Sequence, residues 1–216
     1  MKVIIIDIDD TLIDSVNRTK IIVESILECE ISINDMLEKN LEQIFNKYAD
    51  DIQRSKANEL KQQFQDTLLC KNDTGIDLMK LNQPIPTAAS VLQLWNEHFK
   101  LIYLTGRLER IRDLTLSELE RFGFPVQNSN LYMIKNEDTL FKIPFPVIRK
   151  KQLTHITNTI DHETILRVVD DFPGYFLCYE ELLIPERYGY CHGRKKPQDF
   201  FKNGATRVFK NWNELI

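Results

Sequence analysis

With 216 residues, 43% of them apolar, the chain is long enough for one α/β domain with an insertion or for two small domains, and it has the apolar content of an ordinary globular core. Its net charge of −4 gives no electrostatic reason for bulk binding to nucleic acid or to an anionic membrane. The four cysteines (Cys29, Cys70, Cys178 and Cys191) form no CxxC pair and match no zinc spacing, so they read as free thiols. No apolar run approaches the ~20 residues of a membrane span, and the short run at the start is cut by Asp7 before it could act as a signal peptide. These features lead us to expect a soluble, cytoplasmic protein.

In chain order, Val3-Ile4-Ile5-Ile6 is uniformly apolar and β-branched, which predicts a strand buried on both faces, as in a parallel sheet. With only Met1 and Lys2 before it, this strand is expected to open the fold. Residues 14 to about 80 change character: they are rich in Glu, Lys, Asn and Gln, with Gly75 the only glycine. Ile22, Ile26 and Cys29 share one helical face. Leu37, Leu41, Ile44 and Tyr48 share another, and Leu60, Phe64 and Leu68 a third. Three helices are predicted, making a helical insertion over 15–83, closed by Pro84 and Pro86, with a core of 1–14 and 84–216 around it.

A helix is predicted over 87–98 and a second buried strand over Leu101 to Leu104, ending in Thr105-Gly106-Arg107. A helix over 108–122 stops at Gly123. Leu131 to Ile134 reads as a third strand, 147–157 as a helix, and Ile165 to Val169 as a fourth strand running into Asp170-Asp171. The tail holds short apolar pieces (Tyr175 to Cys178, Val208 to Phe209) and a basic stretch from Arg187 to Lys196, read as a solvated loop. Strands alternating with helices predict a three-layer, Rossmann-like α/β fold with a parallel sheet. Ligands bind such sheets at the carboxyl ends of the strands. Three of the four strands end there in chemically useful groups: Asp7-Ile8-Asp9, Thr105-Gly106 and Asp170-Asp171.

Clustered carboxylates raise one another's pKa unless a cation compensates. For a site made of oxygens the natural compensator is Mg²⁺, which takes one or two carboxylates and leaves room for water and phosphate. The pattern therefore suits phosphoryl transfer, where negative charge on the substrate must be offset.

The same residues carry a resemblance. Val3-Ile4-Ile5-Ile6-Asp7-Ile8-Asp9-Asp10-Thr11-Leu12 is similar to the first motif of the haloacid-dehalogenase superfamily, a strand followed by DxDxT. Leu101 to Arg107 resembles its second motif, and Val168-Val169-Asp170-Asp171 its fourth. The resemblance implies that Asp7 is the nucleophile and that Asp9 is the general acid and base. It further implies that Thr105 and Gly106 hold the phosphoryl group and that Asp7, Asp9, Asp170 and Asp171 form the Mg²⁺ site. A lysine of the third motif is sought before the fourth strand. Lys150 is favoured over Lys151 and Lys142, because Leu153 and Ile156 then fall at i+3 and i+6 of a helix. The insertion after the first motif would be a helical cap that selects a small phosphorylated substrate.

The expected activity is a Mg²⁺-dependent phosphatase acting on a small phosphomonoester through an aspartyl-phosphate. One alternative keeps the fold and changes the substrate to a nucleotide or a 3′-phosphorylated nucleic-acid end. A basic channel of Arg187, Arg194, Lys195 and Lys196 beside the site would support it. Another is a receiver-like phosphoacceptor module, which the long insertion and the strand that carries Asp7 disfavour. The histidines at 98, 155, 162 and 192 show no ligand spacing.

Overall fold

The computed structural model describes residues 1–127, 130–135, 143–193 and 195–216; Lys142 and Arg194 lie outside the described residues. The chain divides into two compact units, Met1–Ile13 with Pro84–Ile216, and Asp14–Gln83.

The first unit is built on a six-stranded sheet. Its strands are β1 (Val3–Ile6), β2 (Lys100–Leu108), β3 (Asn130–Ile134), β4 (Ile165–Asp170), β5 (Glu186–Tyr190) and β6 (Arg207–Phe209). They lie in the order β3-β2-β1-β4-β5-β6, and every pairing is parallel. Parallel neighbours need crossovers, which helices normally supply. Those of this unit are Ala88–Asn96, Arg112–Arg121, Phe145–Thr157, Phe176–Glu181 and Pro197–Lys202. Side chains alternate along a strand. Val3 and Ile5 join Ile102, Leu104, Val168, Leu153, Ile156 and Phe176 in one cluster, while Ile4 and Ile6 on the opposite face are equally buried. Each of these isoleucines contributes roughly 1.5–3 kcal/mol by leaving water. This is the physical reason for an unbroken apolar run.

β1 sits at the centre of the sheet between β2 and β4, so their carboxyl ends are neighbours. Ile6 is level with Tyr103 and Val169, and Asp7 donates its backbone N–H to the Val169 carbonyl at 2.9 Å. Of the Arg187 to Lys196 stretch expected as a solvated loop, residues 187–190 instead belong to strand β5. Its outer residues are polar because it lies nearer the sheet edge, which hides the period. Gly189 pairs with Asp170 and packs on Phe200, where a Cβ would come within 2.4 Å of the ring. Tyr175 to Cys178, left without an assignment in the sequence, starts the Phe176–Glu181 helix.

The second unit holds six short helices where three were expected: α1 (Val16–Leu27), α2 (Ile33–Glu38), α3 (Leu41–Tyr48), α4 (Asp51–Ser55), α5 (Ala57–Leu68) and α6 (Asp73–Leu78). The expected second helix breaks between α2 and α3. There Asn40 caps α3 through Gln43, each accepting a hydrogen bond from the other's backbone N–H at 2.9 Å. Asp50 and Gln53 repeat the device at α4. Such capping boxes satisfy the free amides of a helix start and so favour a new helix over a longer one. The unit has its own core, including Ile22, Val23, Ile44, Phe45, Leu60 and Phe64. A buried carboxylate, Asp35, accepts from Lys47 Nζ at 2.5 Å, from Tyr48 Oη at 2.5 Å and from Lys39 Nζ. Among the described residues no helix is long and apolar enough to cross a membrane.

Candidate active site

The carboxyl ends of β1 and β4 bring Asp7, Asp170 and Asp171 together; all three are buried. Their carboxylate oxygens lie within 4.8 Å of one another. Thr11 bridges them from the turn after β1, its hydroxyl 3.2 Å from Asp7 Oδ2 and 3.5 Å from Asp171 Oδ1. That turn is tight. Thr11, Leu12 and Ile13 all donate their N–H to the Ile8 carbonyl, and Asp10 adopts the left-handed region at φ 59°. The indole N–H of Trp212, far along the chain, donates to the Thr11 carbonyl at 3.0 Å and pins the turn from outside. Asp170 is held by the Phe172 N–H at 2.8 Å and the Tyr179 hydroxyl at 2.5 Å.

Burial and the charge of Asp170 push the Asp7 carboxyl up to about 8, and Arg149 only partly offsets this. Burial likewise raises Asp170, against the pull of Arg149 and Tyr179. A trio of buried oxygens whose mutual repulsion is incompletely cancelled has the chemistry of a hard divalent cation site. Mg²⁺ bound at about 2.1 Å spans oxygens up to about 4.2 Å apart, and oxygens within 4.8 Å of one another need at most a small shift to share one ion.

Asp9 points elsewhere. Its two carboxylate oxygens accept a fork from Arg107, at 2.9 and 2.8 Å. Arg107 is itself buried and also donates to Glu118 at 2.6 Å and Thr115 at 3.3 Å. Burial works against the Arg107 charge, but Asp9 and Glu118 more than compensate and hold it well above its ordinary pKa. In this arrangement Asp9 is a hydrogen-bond acceptor, and to deliver a proton one of its oxygens must leave the fork.

Thr105 is fully buried at the bend of β2, where its hydroxyl accepts the Arg107 N–H at 3.1 Å. Nothing lies within 4 Å of where a Gly106 side chain would begin, so the backbone there is open.

The structure does not bring Lys150 to the acids. Its side chain is 62% exposed and pairs with Glu181 at 2.5 Å. Its neighbour Arg149 faces inward instead, donating to Asp7 Oδ1 at 2.7 Å and to the Leu104 carbonyl at 2.9 Å, with Asp170 Oδ2 at 3.5 Å. The ring of Tyr175 covers the guanidinium at 4.3 Å. The reason is helical phase. Arg149, Gln152, Leu153 and Ile156 form one stripe of the 145–157 helix, and Gln152 also bonds the end of β2, at the Thr105 carbonyl. Leu153 and Ile156 stand at i+4 and i+7 from Arg149, a closer match to the helical repeat than i+3 and i+6 from Lys150, so the sequence carried this signal. Lys151 is exposed.

The basic stretch disperses. Arg187 donates to the Ile184 and Gly204 carbonyls at 2.6 Å, and Lys196 stands just before the Pro197–Lys202 helix without a side-chain hydrogen bond to its first turn. Among the described residues of the stretch, Lys195 donates to Asp171 Oδ2, and His192 Nε2 lies 3.4 Å from the same oxygen.

No protein-family model matches this chain, and no curated protein sequence matches it. Solved structures do. A haloacid dehalogenase-like family hydrolase from Streptococcus pneumoniae is 15% identical with a TM-score of 0.64, covering 100% of this chain and 96% of its own. A predicted phosphatase from Clostridium acetobutylicum is 15% identical with a TM-score of 0.64, over 99% and 95%. A hydrolase of the same family from Deinococcus radiodurans, with bound phosphate and sodium, is 14% identical with a TM-score of 0.61, over 100% and 93%.

Proposed function

From the haloacid-dehalogenase-like fold that this chain has, we propose that it is a phosphatase: a Mg²⁺-dependent hydrolase of a small phosphomonoester that works through an aspartyl-phosphate on Asp7. One observation carries the reading. Asp7, Asp170 and Asp171 converge within 4.8 Å at the carboxyl ends of adjacent parallel strands, the edge where such sheets bind ligands.

Asp7, Asp170 and Asp171 would hold the metal, with Asp9 contributing from the same turn. When bound, Mg²⁺ supplies positive charge that keeps Asp7 ionised and offsets the charge of the phosphoryl group. A carboxylate oxygen of Asp7 attacks phosphorus and forms an acyl-phosphate bond as the P–O bond to the alcohol breaks. Asp9, protonated on an oxygen released from the Arg107 fork, gives that proton to the departing oxygen, then takes one from the water that attacks the acyl phosphate and releases inorganic phosphate. Arg149 orients Asp7 through Oδ1 and leaves Oδ2 on the Thr11 side. The Gly106 amide, on open backbone beside the Thr105 bend, would receive a phosphoryl oxygen.

The test is hydrolysis of an aryl phosphate with Mg²⁺ and with EDTA. Asp7→Asn is nearly isosteric and removes the nucleophile, so activity should fall by roughly 10⁴-fold or more. A folded Asp7→Asn protein as active as wild type would refute the aspartyl-phosphate route.

A further inference from the structure

The loop after β5 carries a charge into the acid cluster that none of the three motifs contains. It leaves β5 at Tyr190 and reaches the Pro197–Lys202 helix within six residues. It is tightly tied. Cys191 donates its N–H to the Phe209 carbonyl at 2.8 Å and its thiol to the Lys195 carbonyl at 3.3 Å. Lys195 returns its own N–H to the His192 carbonyl at 3.3 Å, around Gly193 in the left-handed region at φ 56°. The His192 ring stacks on Tyr190 with centroids 5.1 Å apart and planes at 23°.

This turn aims Lys195 inward. Its side chain is only 17% exposed, and its ammonium donates to Asp171 Oδ2 and to His192 Nε2, the latter at 3.1 Å. Lysine is seldom buried to this extent unless paired. Burial pulls its pKa down, while Asp10, Asp170 and Asp7 are near enough to push the other way. An ammonium has three N–H groups. Asp171 and His192 account for two, and among the described residues no third acceptor is in contact.

The charge count adds a reason. Asp7, Asp10, Asp170 and Asp171, ionised, face Arg149 and Lys195, leaving two net negative charges. A divalent cation brings that to neutral. Without Lys195 the metal-loaded cluster would stay negative and would repel a phosphate anion. The two cations also divide the work, since Arg149 is engaged with Asp7, Asp170 and the Leu104 carbonyl, while Lys195 approaches from another chain segment and another carboxylate.

We propose that Lys195 is a substrate-binding residue of the phosphoryl site: it steadies Asp171 through Oδ2 and donates its remaining N–H to a non-bridging oxygen of the substrate phosphate. The proposal rests on the phosphatase reading. It places the substrate-binding lysine on the loop after β5 and gives exposed Lys150 no part in binding.

The experiment compares wild type with Lys195→Met, Lys195→Gln, Lys195→Arg and Lys150→Met. It measures kcat and KM for an aryl phosphate, inhibition by inorganic phosphate, and thermal melting. Loss of a charged hydrogen bond should weaken phosphate inhibition in Lys195→Met by about 10- to 100-fold and raise KM. Lys195→Arg should recover part of the loss, and Lys150→Met should match wild type. A merely structural lysine would lower the melting temperature without separating phosphate affinity from kcat. Lys195→Gln is neutral and keeps a donor, so it serves if the methionine variant does not fold. Phosphate inhibition within twofold of wild type in either folded neutral variant overturns the assignment of Lys195 while leaving Asp7-dependent hydrolysis standing. A wild type with no Asp7-dependent hydrolysis overturns the phosphatase reading and this inference with it.

Discussion

Both units of this protein bury carboxylates, and they treat them in opposite ways. In the helical unit Asp35 is met by Lys39, Lys47 and Tyr48, and these donors hold it well below the usual carboxylate range. In the sheet unit Asp7 and Asp170 are buried against each other with Arg149 shared between them, and both are pushed up, Asp7 to about 8. Asp35 has its counter-charges built into neighbouring helices, so it specifies packing. Asp7 and Asp170 are left short of positive charge, as residues that must recruit it from a ligand are. Asp9 stands between these extremes: its carboxylate is paired with Arg107 yet remains partly exposed at the site.

The largest effect that separates the two regions is on activity. Asp7→Asn should remove hydrolysis, whereas Asp35→Asn should leave kcat in the folded protein within a factor of a few, as steady-state assays would show. Next is the intermediate case. Arg107→Lys loses the planar fork on Asp9, and kcat measured on the folded protein should drop by roughly 10- to 100-fold, with a fall in melting temperature because buried Glu118 also loses its partner. An unchanged kcat would mean that Asp9 does not depend on its partner.

Stability should then move in opposite directions. Asp35→Asn leaves Lys39 and Lys47 without their shared anion, and the melting temperature should fall by roughly several degrees. In EDTA at pH 8 to 9, Asp7→Asn should melt no lower than wild type, because it removes a carboxylate that is costly to ionise there.

The smallest and most diagnostic difference is in pH. Asp7 binds its proton more tightly in the folded state, so its contribution to stability is present at low pH and is lost as pH rises from about 4 through about 8. Asp35 binds its proton more weakly when folded, so its contribution is present above about pH 4 and is lost on acidification. In EDTA, wild type should lose stability toward pH 8 by melting, Asp7→Asn should flatten that limb, and Asp35→Asn should flatten the acid limb. Mg²⁺ should offset the loss at pH 8. A wild type with no alkaline limb would end the contrast.

Much of the sheet unit was legible because its central strands are continuous apolar runs that end abruptly in acids. Val3 to Ile6 must be buried on both faces, and a strand of that kind belongs in the middle of a parallel sheet. Its neighbours ending in Thr105 and in Asp170-Asp171 then had to share its carboxyl edge. The helical unit was legible as helical but not in its joints, since Asn40 and Asp50 divide the chain through short-range hydrogen bonds that an apolar period does not register.

The amino-acid sequence by itself determined that Asp7, Asp170 and Asp171 would meet, because hydrophobic burial fixes where these strands run and strand direction fixes where they end. Arg149 over Lys150 was a matter of helical phase, about 100° between adjacent residues, which the spacing to Leu153 and Ile156 records. Only the tertiary structure decided that Lys195 would meet the acids as well. The pairing of β5, a strand that polar Glu186 and Arg187 disguise, carried Lys195 to Asp171 across 24 residues of chain. That choice depends on packing between elements distant in sequence, and a local pattern contains no term for it.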